Sequence, residues 1–176
     1  MIWESSFWKE PLIHSASYLA RVRMSERTRV QTLVRIEKEF FLGFYAIRKL
    51  IEARKVSDHL KTLPLDLSFY KSRREVSLIN WHHVGQNYSL TKELLEGRDL
   101  MFLCNQVIHS IFFVTSEQNG RLNGFFIASD REFYHRCFFV RLAQVLTIFR
   151  SVGRNYPANS EFSRNLISRQ ITLRIW

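Results

Sequence analysis

Apolar residues recur at steps of three and four from Leu33 through Ile36, Phe40, Phe44 and Ile47 to Ile51, the spacing of one buried helical face. Phe41 and Tyr45 widen that face, and Ser25 reads as an N-cap, so the pattern predicts a long central helix over 26–55. Gly43 in its interior is expected to permit close packing of a second helix. Pro11 suits the first turn of a shorter helix through LIHSASYLARVR, because that turn does not need the missing N–H.

The pattern then loses its period. Pro64, the basic run KSRR and the stretch VSLINWHHVGQNY predict a loop over 56–89, with a short strand or helix near 76–81. Thr91 is expected to cap a helix over 92–110. The aromatic, β-branched runs IFFVTS and GFFIAS are joined by EQNGRLN, and Asn119-Gly120 is a favoured tight-turn dipeptide, so a β-hairpin is predicted there. Ser129 and Glu132 have capping-box spacing. Tyr134, Phe138, Leu142, Val145, Phe149 and Val152 then read as a last long helix, ended by Gly153 and Pro157. The final ITLRIW alternates and could add an edge strand. The predicted fold class is mainly α: a helical bundle with a β-hairpin inserted before the last long helix, in one domain spanning 1–176.

Composition supports a packed domain. With 46% apolar residues in 176, the chain can fill a core, and no Pro-rich, Gly/Ser-rich or repeated tract divides it. Phe112 with Phe113 and Phe125 with Phe126 place rings on both faces of each hairpin strand. Both faces need cover, from the chain itself by default or from a second copy in a homodimer. Cys104 and Cys137 sit in apolar stretches, as buried free thiols of a reducing compartment do. The first residues lack the apolar run of a signal peptide, and no segment reaches the roughly 18 uninterrupted apolar residues of a membrane span, so a cytoplasmic location without membrane association is expected.

Charge narrows the partner. Twenty-six Lys and Arg against sixteen Asp and Glu give +10, which favours RNA or another polyanion, with an acidic protein as the alternative. From Arg21 to Lys55, ten basic residues face four glutamates and supply +6 of that total. On the predicted helix Arg27, Lys38 and Lys49 recur every eleven residues, a stripe of about 33 Å that could track phosphates with Arg35 beside it. Lys71, Arg73 and Arg74 of the KSRR run, and Arg131 with His135 one turn on, are further candidate contacts.

Candidate chemistry centres on LCNQVIHS. Asn105 and His109, four residues apart, share a helical face, with Arg98 and Phe102 below them. The run L-C-N-Q-V-I-H resembles the L-R-N-x-x-x-H motif of the HEPN family (higher eukaryotes and prokaryotes nucleotide-binding), with Cys104 in the arginine position. The resemblance covers about seven residues directly, with a looser agreement in helical order over 26–152. It implies a helical bundle, dimerisation and metal-independent ribonuclease chemistry, often within toxin–antitoxin or antiviral defence systems. In that reading His109 is a general acid or base and Asn105 orients the phosphate or the imidazole. Arg98 would have to replace the missing guanidinium from about 16 Å away along the helix axis, which one chain cannot manage. The alternative is that Asn105 and His109 form a structural hydrogen-bonded pair. His82 and His83 lack accompanying ligands at metal-site spacing, and no cofactor motif occurs, so neither a metal nor a cofactor is expected. Two functions follow: a HEPN-like RNA-binding domain with weak or no endoribonuclease activity, or a non-catalytic basic subunit that docks on an acidic protein.

Overall fold

The computed structural model describes residues 2–164 and 171–176. It corrects the expected architecture. Of the described residues 40% are helix and 27% strand, built on a five-stranded antiparallel sheet, and the fold is not a mainly helical bundle. In chain order the elements are α1 (Ser6–Leu19), α2 (Val30–Glu52), α3 (Asp58–Lys61), β1 (Leu65–Lys71), α4 (Val84–Asn87), β2 (Leu94–Arg98), α5 (Leu100–Ile108), β3 (Ser110–Gln118), β4 (Arg121–Ser129), β5 (Arg136–Arg141), α6 (Leu142–Gly153), β6 (Ser160–Arg164) and β7 (Ile171–Ile175). The sheet runs β2-β1-β5-β4-β3, while β6 and β7 pair separately. The final alternating run therefore forms a strand, but of a separate two-stranded sheet.

Two of the expected helices contain strands. Cys137 to Val140 are consecutively buried in β5, between β1 and β4, because a central strand covered on both faces reads as a continuous apolar run. Such a run also fits a helical step of four, which is how 134–142 simulates a helix. Residues 94–98 pair with β1, and the following helix starts only at Leu100, where Asp99 accepts the Phe102 amide at 2.7 Å. β1 itself, LDLSFYK, falls inside the expected loop.

The central helix starts at Val30, not at 26. Arg23 bridges Arg121 and the Met24 amide donates to Gly120 at 3.0 Å, so the preceding chain is held extended along the hairpin tip. Ser25 closes a turn with Thr28 instead of capping the helix. The hairpin forms as predicted, with Asn119 and Gly120 both at positive φ, 53° and 73°. Gly43 sits where a Cβ would lie 2.2 Å from the Phe149 ring, so α2 and α6 approach through it.

Strand alternation divides the core. Phe113, Phe125, Ile127, Phe138 and Val140 pack with α1, α2, α5 and α6 on one face. Phe112, Ala128, Cys137 and Phe139 pack on the other under Val76, Val84 and Tyr88, with Trp81 stacked on Phe112 at 6.1 Å. Both faces of the hairpin are thus covered within the chain. The segment joining β1 to β2 is held there by the Tyr88 hydroxyl, which donates to the Phe133 carbonyl at 2.6 Å. Among the described residues, no helix is long and apolar enough to cross a membrane.

Candidate functional site: a polar pocket between α2, α5 and the β4–β5 turn

α5 buries Leu100, Leu103, Cys104 and Val107 and turns Asn105 and His109 away from that core. Burial pushes the Cys104 thiol up to about 12, so the residue in the arginine position of the motif is a neutral core side chain. A guanidinium reaches the motif from elsewhere: Arg48 of α2 donates through Nη1 to Asn105 Oδ1 at 2.6 Å. Its Nε is held by Glu52 at 2.8 Å, and Glu52 also accepts from Lys49 at 2.9 Å. These two bonds hold the Glu52 carboxyl below its ordinary range.

The turn after β4 closes the site. The Asp130 amide donates to the His109 carbonyl at 3.0 Å, and the Ser129 amide to Gln106 Oε1 at 3.4 Å, so α5 and the turn are tied by one backbone bond and one backbone-to-side-chain bond. Between them lies a cavity of about 410 Å³, within the range of small-ligand sites. Arg48, Asn105 and His109 line one side, Asp130, Arg131 and Glu132 the other, and Phe102, Gln106 and Ser129 complete it. His109 and Arg131 are exposed. Glu132 is engaged by Arg136 at 2.6 and 3.1 Å, which lowers its pKa and offsets its charge toward the pocket. Ser129 Oγ is buried and has no hydrogen-bond partner among the described residues, a condition that is costly unless something else meets it.

His109 is therefore exposed and Asn105 half-buried under Arg48 at the cavity wall, so the pair is not sealed beneath apolar neighbours. Arg98 does not line the cavity: it ends β2, pairs with Glu96 and lies over the Phe102 ring at 4.6 Å. The distance along a helix axis does not apply to it, because it precedes the helix. It supports a wall of the site.

The remaining candidates separate. Arg27 lies in the turn before α2, so only Lys38 and Lys49 of the expected stripe are on the helix. Lys38 is exposed, Lys49 is paired with Glu52, and Arg35 pairs with Glu39 at 3.4 Å and stacks on Tyr18 at 3.9 Å. Lys71 is exposed at the end of β1, and His135 is exposed, with its carbonyl taken by the Ser72 amide at 2.7 Å. Arg73 donates to the Gly85 and Gln86 carbonyls at 2.8 and 2.9 Å, and Arg74 to Asn87 Oδ1 at 2.7 Å. His82 and His83 sit side by side with ring centroids 4.0 Å apart, and no cluster of three metal-ligating side chains stands among the described residues.

Sequence reasoning missed Arg48, Gln106, Ser129 and Asp130 as parts of one site. Arg48 and Asn105 are 57 residues apart, and nothing local marks them as partners. Residues 129–132 did carry a signal, a polar run SDRE directly after an apolar strand, but it reads equally as a helix cap. No family model, no curated protein and no solved structure matches this chain.

Proposed function

We propose that this chain binds RNA, with the pocket between α2, α5 and the β4–β5 turn as its phosphate-contacting site. The observation that carries the reading is Arg48 on Asn105, beside the exposed His109 and opposite Arg131. It supplies a cation at the polar pair whose own motif position holds Cys104. A guanidinium carries five N–H donors, so Arg48 keeps donors for a phosphate beyond those given to Glu52 and Asn105, and Asn and His can add further donors. The net charge of +10 would attract a polyanion to this face from a distance. From the HEPN resemblance the proposal retains only the Asn105–His109 pair, because the bundle it implied is absent.

Binding of a labelled single-stranded RNA across a salt series tests the reading. Affinity is expected to fall linearly in log–log form with salt, and Arg48→Gln should weaken binding by about tenfold at low salt. Salt-independent binding, or an unchanged affinity in the variant, contradicts it. His109→Ala tests cleavage separately: any RNA cleavage by the purified chain that survives this change does not arise in the pocket.

A second reading, docking on an acidic protein, is favoured by one observation. Val30, Val34 and Leu42 of α2 are exposed along a shallow groove that also holds Arg35 and Lys38. If RNA does not bind, Leu42→Glu should abolish retention of the chain on an acidic protein partner.

A further inference from the structure

Just past the C-terminal end of α2, beyond Arg48, lies a second cationic site whose lining shares no residue with the pocket. Lys9 of α1 is 1% exposed, yet no carboxylate within ion-pair distance of it appears among the described residues. Its ammonium donates to the Lys55 carbonyl at 2.7 Å and lies 4.2 Å from the centre of the Tyr156 ring. Burial and the nearby Lys55 charge push its pKa down, against a smaller opposing pull from Glu4. Glu4 itself accepts from the Ser6 amide at 3.0 Å. A charge removed from water without a counter-ion is costly.

The end of α2 adds two more cations. The Lys55 amide donates to Leu50 O at 2.8 Å and the Arg54 amide to Ile51 O at 3.0 Å, the two bonds of a Schellman turn. Arg54 occupies the left-handed position at φ 55°, where glycine is the usual residue. A non-glycine residue held there is strained, and such strain clusters at sites of function. Those two bonds engage the Leu50 and Ile51 carbonyls at the negative end of the helix, and Lys9 takes the Lys55 carbonyl just beyond it, so fewer free carbonyls face an anion there. Arg54, Lys55 and Lys9 all line a cavity of about 490 Å³, together with Ser5, Tyr156 and Ser160, and no Asp or Glu lines it among the described residues.

We infer that this junction of α1, the α2 terminus and the Tyr156 segment binds a small phosphorylated molecule, its phosphate lying among Lys9, Arg54 and Lys55. A phosphate dianion matches three cations better than a single carboxylate does, and the hydroxyls of Ser5, Tyr156 and Ser160 can serve the phosphate oxygens or the group that carries them. The site is separate from the proposed RNA-contacting pocket, so either can fail alone.

Inorganic pyrophosphate is the probe, titrated at constant ionic strength while the backbone amides of Lys9, Arg54 and Lys55 and the thermal midpoint are followed. Saturable shifts at those amides are expected, with a midpoint that rises with ligand. Arg54→Gly gives the sharpest arm, because it relieves the backbone while removing a cation. Its own midpoint should rise, while its pyrophosphate affinity falls by about tenfold. Lys9→Met should abolish saturation, and should that variant unfold, the Arg54→Gly comparison decides alone. Non-saturating shifts identical to those of chloride overturn the inference. So does an Arg54→Gly protein of raised midpoint and unchanged pyrophosphate affinity.

Discussion

Two arginine-bearing regions of the molecule serve different ends in the fold. In the segment after β1, Arg73 and Arg74 point their guanidinium groups at the Gly85 and Gln86 carbonyls and at Asn87, whose side chain is buried and also donates to the Asn80 carbonyl at 2.7 Å. Their donors hold a long connection against the second face of the sheet. At the pocket, Arg48 and Arg131 line a cavity, and Arg131 is exposed. Side-chain charge is the same in both places, so charge density alone does not identify an interface. What distinguishes them is placement: all of Arg48, Arg73 and Arg74 donate to the chain's own acceptors, but only Arg48 also lines an open cavity, with Arg131 beside it.

The largest expected effect sharpens that contrast from the pocket side. Reversing both charges, Arg48→Glu with Arg131→Glu, should lower RNA affinity by about a hundredfold at low salt, since each reversal removes a charge-assisted contact and adds repulsion. The Arg48 change should also lower the thermal midpoint, because it loses the bonds to Glu52 and Asn105 and sets a carboxylate one turn from Glu52, so Arg131→Glu alone, with an unchanged midpoint and weakened binding, is the control. A filter-binding series with parallel thermal melts reads both quantities.

From the loop side the effects should invert. Asn87→Ala removes the acceptor of Arg74 and the donor to Asn80, and should cost about 1–3 kcal/mol in denaturant unfolding. RNA affinity should be unchanged. An Asn87 variant of normal stability and weakened binding would erase the distinction between the two regions.

A smaller effect concerns the floor beneath the pocket. The Cys104 thiol is held neutral to about 12 in the fold, whereas an unfolded thiol ionises near 9. The folded state therefore keeps a proton that the unfolded state loses. Stability contributed by this group is complete below pH 9 and declines as pH rises above it, at a limiting slope of about 1.4 kcal/mol per pH unit. Cys137, also raised by burial, acts in the same direction. Urea midpoints between pH 8 and 10 should fall, and Cys104→Ala should flatten the decline. In the native protein at pH 8 both thiols should resist alkylation, as read by mass spectrometry.

Legibility in the sequence followed the range of the interactions. The Asn119-Gly120 turn and the helical face from Ile36 to Ile51 were readable because their determinants lie within a few residues. β5 was not, since CFFV is apolar in every position and carries no period to separate a covered strand from a buried helix. β1 left a faint trace in the alternation Leu65, Leu67, Phe69, hidden between Pro64 and a basic run. With β1, β2 and β5 unread, a five-stranded sheet shrank to a hairpin and the chain looked like a bundle. The site behaved similarly. Asn105 and His109 were visible because they sit one helical turn apart, and Arg131 was visible as a local cation. Arg48 became a partner only through the packing of α2 on α5, and Ser129 only through the end of β4.

The most direct test is a backbone amide map of the chain during titration with single-stranded RNA. Perturbations that saturate at residues 105–109 and 129–132, with 73–74 and 85–87 unmoved, are the predicted result. The reverse pattern, with shifts along the segment after β1 and none at the pocket, would contradict the assignment of the pocket as the RNA-contacting site.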